Sequence, residues 1–377
     1  MKKLRRLLLW LLGTLLRPFR RKAVIMFEST PDFADNTYAV YLELLRRKLD
    51  RKYIMVWDCG GDLAPQGVTC VFPHKGLAQK LKKLYYMAGA KAMICCNRFL
   101  LPMTGCQTSF YLTHGTPLKS VKGYYKIPPQ INYCLAAGEG AREVTADQLN
   151  MAPEKMFVLG FPRNDIFALP PEPVKKMLNT DCKKVLVWYP TFRQHTNGRT
   201  AGSGKALPII HNEQAAAELN EFAKAQDVLL VLKPHFAQDV SQIRDMKLSN
   251  ICFIDDGFFK THNTTSYGFV GGCDGLITDY SSIYFDYLLC DKPMGLVWED
   301  VEEYKCNPGF AMDPEECCAG GRKIYDLQDF KDFIEEVSTG KDSCGEARRR
   351  LCDRFNFSTD GQNAARVADF IIQKAKL

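Results

Sequence analysis

Residues 275–289 read GLITDYSSIYFDYLL. The first four suit a short buried strand, and residues 281–289 have helical spacing, with the polar break Asp279-Tyr280-Ser281-Ser282 between them. A strand that runs through a polar turn into a helix is the repeating unit of a parallel sheet, because a parallel neighbour is reached only by a crossover.

Working outward, the same alternation recurs along the chain. Strand-like runs fall at 23–27, 53–57, 68–72, 92–95, 110–112, 134–137 and 157–159. Helical patterns fall at 37–49, with Asn36 as a cap, and at 77–90 and 141–149. After the stiff junction Pro170-Pro171-Glu172-Pro173 the pattern restarts, with strands at 184–188, 228–232, 250–254 and 275–278 and a last one at 295–298. Helices are expected at 213–225, 281–289, 327–337, 345–355 and 361–375. The fold class is therefore α/β, with two open parallel sheets facing one another. The expected domains are 23–170 and 171–377, with the last helix free to pack back on the first domain.

Charge is unevenly placed. The chain of 377 residues has 50 basic and 43 acidic side chains, a formal net charge of +7. Eight of the basic groups and no acid lie in residues 1–22, which leaves 42 basic against 43 acidic for the body. A nucleic-acid binder carries its basic surface on the folded domain, so that class is disfavoured. The arm, MKKLRRLLLWLLGTLLRPFRRK, has an apolar run too short for a bilayer crossing of roughly 20 residues, and lacks a small-residue cleavage site. It reads as an interfacial amphipathic helix: Leu8, Trp10 and Leu12 enter the acyl boundary while Arg17, Arg20 and Arg21 meet anionic headgroups on the cytoplasmic face. A basic tail without structure, or a helix docked on its own protein, fits the same composition. The 15 cysteines are scattered with no Cys-x-x-Cys, which points to buried thiols in a reducing compartment and to no structural metal.

Ligands of open parallel sheets sit beyond the carboxyl ends of the strands. Five polar clusters stand at such ends: His114, Pro190-Thr191-Phe192-Arg193, Lys233-Pro234-His235, Asp279-Tyr280-Ser281-Ser282 and Arg163-Asn164-Asp165. A helix start near Ser281 offers unpaired N–H groups and hydroxyl donors to a phosphate; ordinary capping by Asp279 or Ser281 explains the same residues. His114 and His235 hold matching places in the two halves. A neutral imidazole takes a proton from an attacking hydroxyl, and His235, Lys233 or Arg193 neutralises a leaving phosphate. Either histidine could instead cap a strand. Arg163-Asn164-Asp165 could hold a polyol or phosphate, or be a turn in which Asp165 caps a short helix and Arg163 is solvated. His74, His195, His211 and His262 have no comparable setting, and no Walker-type phosphate loop occurs.

The ordered set HGTPLK, PRND, YPTFR, KPH, LITDYSSIYFD and DGQNAARV resembles the CDP-glycerol glycerophosphotransferase family of teichoic-acid synthesis, from about residue 23 to the carboxyl end. The resemblance implies a GT-B fold of two Rossmann-like domains with a cleft between them and transfer of glycerol phosphate or ribitol phosphate from a CDP-activated donor, releasing CMP. It implies His114 as base and Arg193, His235, Ser281 and Ser282 at the donor diphosphate. The same motifs add Thr191, Lys233, Asp279 and Asp286 on the donor side, and Gly115, Thr116, Lys119, Arg163, Asn164 and Asp165 on the acceptor side. The implied partners are CDP-glycerol or CDP-ribitol and an undecaprenyl-diphosphate-linked saccharide at the membrane. No cofactor is required, and Mg²⁺ could accompany the diphosphate. Phe236 departs from the family's frequent proline. The alternatives are a GT-B glycosyltransferase using a nucleotide sugar and a non-catalytic, membrane-tethered binding protein.

Overall fold

The computed structural model describes residues 11, 23–62, 64–124, 126–191, 207–234 and 240–377. The expectations for Leu8, Trp10, Leu12, Arg17, Arg20, Arg21, Arg193 and His235 lie outside the described residues.

The chain divides into two units. The first takes the residues up to His114, Lys122–Asp165 and Phe357–Leu377; the second takes Gly115–Val121 and Ile166–Asn356. The division near 165 compares with the expected one at 170, and two segments belong to the unit that chain order alone would not assign.

In the first unit, β1 (Val24–Glu28), β2 (Ile54–Asp58), β3 (Thr69–Val71), β4 (Ala90–Cys95), β5 (Thr108–Tyr111), β6 (Tyr133–Ala136) and β7 (Met156–Val158) form one sheet in the order β3-β2-β1-β4-β5-β6-β7. Every pairing is parallel. The second unit contains β8 (Lys184–Trp188), β9 (Val228–Leu232), β10 (Ile251–Phe253), β11 (Gly275–Thr278), β12 (Met294–Val297) and β13 (Arg322–Ile324), ordered β10-β9-β8-β11-β12-β13. These pairings are parallel as well. Helices cover both faces of such sheets, so central strands lose their alternation: β1 and β9 are buried at every position. Each sheet builds outward from its first strand and then reverses beside it, between β1 and β4 and between β8 and β11. Loops at that reversal diverge and leave room for a ligand.

Three local expectations are corrected. Asn36 is not a cap: the helix Asp35–Arg46 starts before it, with Ala34 at the cap position, and Asn36 is buried in the first turn. The helix expected from Ser281 begins at Ile283, runs five residues to Tyr287 and tightens into a 3₁₀ turn at Leu288–Cys290. The strand at 294–297 is not the last, because β13 follows; it has three residues, of which only Ile324 is buried. A short edge strand with two half-buried cations carries no hydrophobic pattern to read.

The carboxyl-terminal helix Asn363–Ala375 belongs to the first unit. Its Val367, Ala368 and Ile371 share a core with Val40 and Leu44, and Phe370 stacks on Phe157 with ring centroids 4.3 Å apart. Gly160 permits this: its φ is +77°, and a Cβ there would lie 2.3 Å from Oδ1 of Asn363.

Candidate active site

At the reversal of the first sheet, β1 ends in Glu28, a carboxylate with no exposed surface. Its Oε2 accepts the backbone N–H groups of Asn97 (3.1 Å) and Arg98 (2.8 Å), and Oε1 accepts Nε–H of Arg98 (3.1 Å). Burial pushes the Glu28 carboxyl up, against the Asn97 and Arg98 donors that pull it down. Arg98 also donates to the Asp58 carbonyl at 2.7 Å. The loop after β4 is thus fastened to the ends of β1 and β2.

His114 follows β5 on that same side and is exposed. Its Nδ1 lies 3.4 Å from the carbonyl oxygen of Cys96, in the loop that Glu28 fastens. A carbonyl only accepts, so this long contact favours the proton on Nδ1 and leaves the lone pair of the neutral ring on Nε2. The backbone before it is fixed twice: Asn36 Nδ2 donates to the carbonyls of Leu112 (3.0 Å) and Thr113 (2.8 Å), and Thr113 Oγ1 donates to the Leu135 carbonyl (2.9 Å). Beyond His114 the chain enters the second unit. There Ser120 donates to the Gly309 carbonyl and Lys119 bridges Phe310. Gly115 is half-buried, and Thr116 is buried with no partner for its Oγ1.

Arg163, Asn164 and Asp165 are drawn into the first unit. Arg163 Nη1 bonds Asp35 at 2.7 Å, and its backbone N–H donates to Asn36 Oδ1. Asn164 is buried. Asp165 accepts the N–H groups of Asn363 (2.9 Å) and Ala364 (2.8 Å), so it caps the carboxyl-terminal helix. These contacts account for Arg163 and Asp165 without a ligand, and they correct the turn reading: Arg163 is paired rather than solvated, and the helix that Asp165 caps is the 13-residue carboxyl-terminal one.

At the reversal of the second sheet, buried Asp279 accepts the backbone N–H of Thr191 (2.7 Å), the Thr191 hydroxyl and the N–H of Tyr280 (2.7 Å). It ties the loop after β8 to the loop after β11. Ser281 and Ser282 are half-buried on that second loop, and Ile283 N–H lies 3.5 Å from Ser281 Oγ. Asp286 is buried and accepts the Tyr267 hydroxyl at 2.7 Å. Lys233, at the end of β9, pairs with Asp256 at 3.0 Å and lies over the rings of Tyr189 and Phe259. Among the described residues no group of three or more His, Cys, Asp or Glu side chains could hold a metal ion, and no helix is long and apolar enough to cross a membrane.

Sequence reasoning missed Glu28, Asp58, Asn97 and Arg98, although each ends or follows an apolar strand and the rule that found His114 also selects them. It also set His211 aside. The imidazole pairs with Glu299, just after β12, and Glu299 Oε2 accepts the N–H of Ile209 at 3.0 Å.

Two parallel sheets with polar groups gathered at both reversals suit transfer from a nucleotide-activated donor. The sequence model of the CDP-glycerol:poly(glycerophosphate) glycerophosphotransferase family matches residues 12–373. The chain belongs to this family. This CDP-glycerol glycerophosphotransferase homologue is therefore a transferase, which selects the phosphotransferase reading over the nucleotide-sugar and non-catalytic alternatives. It is 23% identical over 379 residues to the teichoic acid glycerol-phosphate primase of Bacillus subtilis strain 168, covering 95% of this chain and 91% of the relative. It is 24% identical to the teichoic acid ribitol-phosphate primase of Bacillus spizizenii, over 69% of this chain and 65% of that one. Among solved structures, the wall teichoic acid polymerase TagF superposes with a TM-score of 0.74 at 20% identity, over 100% of this chain and 97% of that one. Staphylococcus aureus MnaA with UDP superposes at 0.54 and 13% identity, over 94% and 97%. These likenesses establish the GT-B-like architecture of paired Rossmann-like sheets.

Proposed function

We propose that this transferase moves glycerol phosphate or ribitol phosphate from its CDP-linked form to a hydroxyl of a lipid-linked saccharide, in synthesis of a teichoic-acid-type polymer. The observation that carries this reading is the family match over residues 12–373, in a chain whose sheets both gather polar groups at their reversals. The relatives named above support the polymer class.

The donor diphosphate lies against Ser281, Ser282 and Lys233, with Arg193 and His235 supplying further charge. The acceptor oxygen attacks the polyol-bearing phosphorus, and its proton passes to Nε2 of His114. The bond from that phosphorus to the bridging oxygen breaks, and CMP leaves with the electron pair. Phosphoryl transfer needs mainly alignment and charge compensation. A Mg²⁺ ion would enter with the diphosphate. The acceptor arrives at a cytoplasmic membrane surface that the basic arm contacts.

The test is to incubate purified protein with CDP-glycerol, CDP-ribitol and a lipid-linked disaccharide, and to weigh the products. One added polyol phosphate with release of CMP is expected. Formation of a glycosidic bond, or no transfer from either donor, sinks the reading.

A further inference from the structure

The helix Leu77–Ala88 buries only Ala88. Leu77, Leu81 and Tyr85 on it are 72%, 55% and 42% exposed, three large apolar side chains at intervals of four residues. At about 100° per residue they form one stripe about 80° wide. Lys80 and Lys82, both exposed, fall about 60° outside its two edges on the same geometry, and Lys82 Nζ donates to the Cys70 carbonyl at 3.3 Å. Lys83 turns away to Asp58, at 2.6 Å. The surrounding sequence has one sign of charge: between Asp62 and Glu139 there is no acidic residue, while nine lysines and arginines occur.

Taken as charge alone, Lys80–Lys83 reads as a solvated face. The stripe between the lysines changes that, because water gains nothing from three large apolar groups held in line. Lysines on both borders of an apolar stripe suit a bilayer interface: their stems lie along the apolar surface while the ammonium groups reach phosphate. A second copy packed on the stripe about a twofold axis would set these lysines against each other. We infer that the helix Leu77–Ala88 is a membrane-surface element that seats Leu77, Leu81 and Tyr85 in the headgroup boundary of an anionic bilayer. The inference rests on the reading above only in taking the acceptor to be lipid-borne. It adds a contact separate from the amino-terminal arm.

The test uses the full chain and flotation with phosphatidylcholine vesicles, with and without phosphatidylglycerol. The variants are Leu77→Ser/Leu81→Ser/Tyr85→Ser and Lys80→Glu/Lys82→Glu. Each is expected to lower partitioning onto anionic vesicles by about tenfold or more. Thermal midpoint and CMP release with a soluble acceptor analogue should stay near wild type, since these side chains are exposed and the one bond lost is the long contact from Lys82 to the Cys70 carbonyl. Wild-type partitioning in both variants overturns the inference. So does a wild-type dimer that the serine variant converts to monomer while vesicle binding is retained, which would make the stripe a contact between copies. Loss of CMP release in the wild type, with vesicle binding intact, would count against the transferase reading and leave this one standing.

Discussion

The Asp279 carboxylate holds the backbone N–H of Thr191 at 2.7 Å, joining the ends of two strands 88 residues apart in sequence. With the Thr191 hydroxyl and Tyr280 N–H, three donors depend on one buried acid. Leaving a buried donor unpaired costs about 1–3 kcal/mol. Asp279→Ala should therefore lower the midpoint of thermal unfolding of the second unit by several degrees, at about 2–4 °C per kcal/mol for a domain of this size. Asp279→Asn keeps an acceptor and should lose less. Calorimetry checks both; an unchanged midpoint in the alanine variant would mean that the loops do not depend on this carboxylate.

Glu28 plays the matching part in the first sheet, and it titrates. Its folded-state pKa is raised, chiefly by burial, so the folded state binds its proton more tightly than the unfolded chain does. The stability it contributes is full below the ordinary glutamate range and is lost as pH rises through the raised value. Glu28→Gln does not titrate. Its stability relative to wild type should therefore rise with pH across that interval and level off above it, as read by urea unfolding at a series of pH values. The same substitution keeps an acceptor for the loop that presents the Cys96 carbonyl to His114, so kcat should survive in Gln better than in Ala.

The strand ends were legible because burial on both faces makes a parallel strand a plain apolar run. The limits expected at 184–188, 228–232 and 275–278 match β8, β9 and β11 at both ends. His114 was legible for the same reason, as a polar residue where such a run stops. Glu28 was not singled out, because a carboxylate closing a strand reads as the first solvated residue; its role depends on Asn97 and Arg98, some 70 positions away. The partner of Asp165 was out of reach in the same way: the PRND turn shows an acid able to cap, but the helix it caps begins at Asn363. The short helices Asp256–Thr261 and Ser266–Gly272 are too brief to show a period, and Asp255 and Thr265 cap them through side chains.

A second titration runs the opposite way. Arg348 has no exposed surface, and its guanidinium meets both Asp342 and Asp291. The hydrogen bond from Arg348 is the main cause that holds the Asp342 carboxyl below its usual range. A depressed folded-state pKa gives stability that is present above the ordinary aspartate value and is lost as pH falls through the lower one. The second unit of wild type should lose stability on acidification through that range. Asp342→Asn should be less stable at neutral pH and flatter below it. Parallel acid-unfolding curves for the two proteins would show that the pair contributes nothing to acid sensitivity.

His114 and Asp165 both follow first-sheet strands, and one pair of variants separates the work proposed for the first from the capping contacts of the second. Asp165 spends both carboxylate oxygens on the first N–H groups of the helix Asn363–Ala375. Asp165→Ala should cost about 0.5–2 kcal/mol of stability, the usual loss for a helix cap, and leave kcat near wild type at temperatures where the protein stays folded. His114 is exposed, and under the proposed function its ring takes the proton of an incoming hydroxyl, so His114→Ala should leave the unfolding midpoint unchanged and lower kcat for CMP release by about two to four powers of ten. Calorimetry and CMP release on both proteins decide it. If Asp165→Ala loses turnover while its midpoint holds, the PRND turn touches substrate and the capping account fails. If His114→Ala turns over normally, the proton of the acceptor leaves by another route.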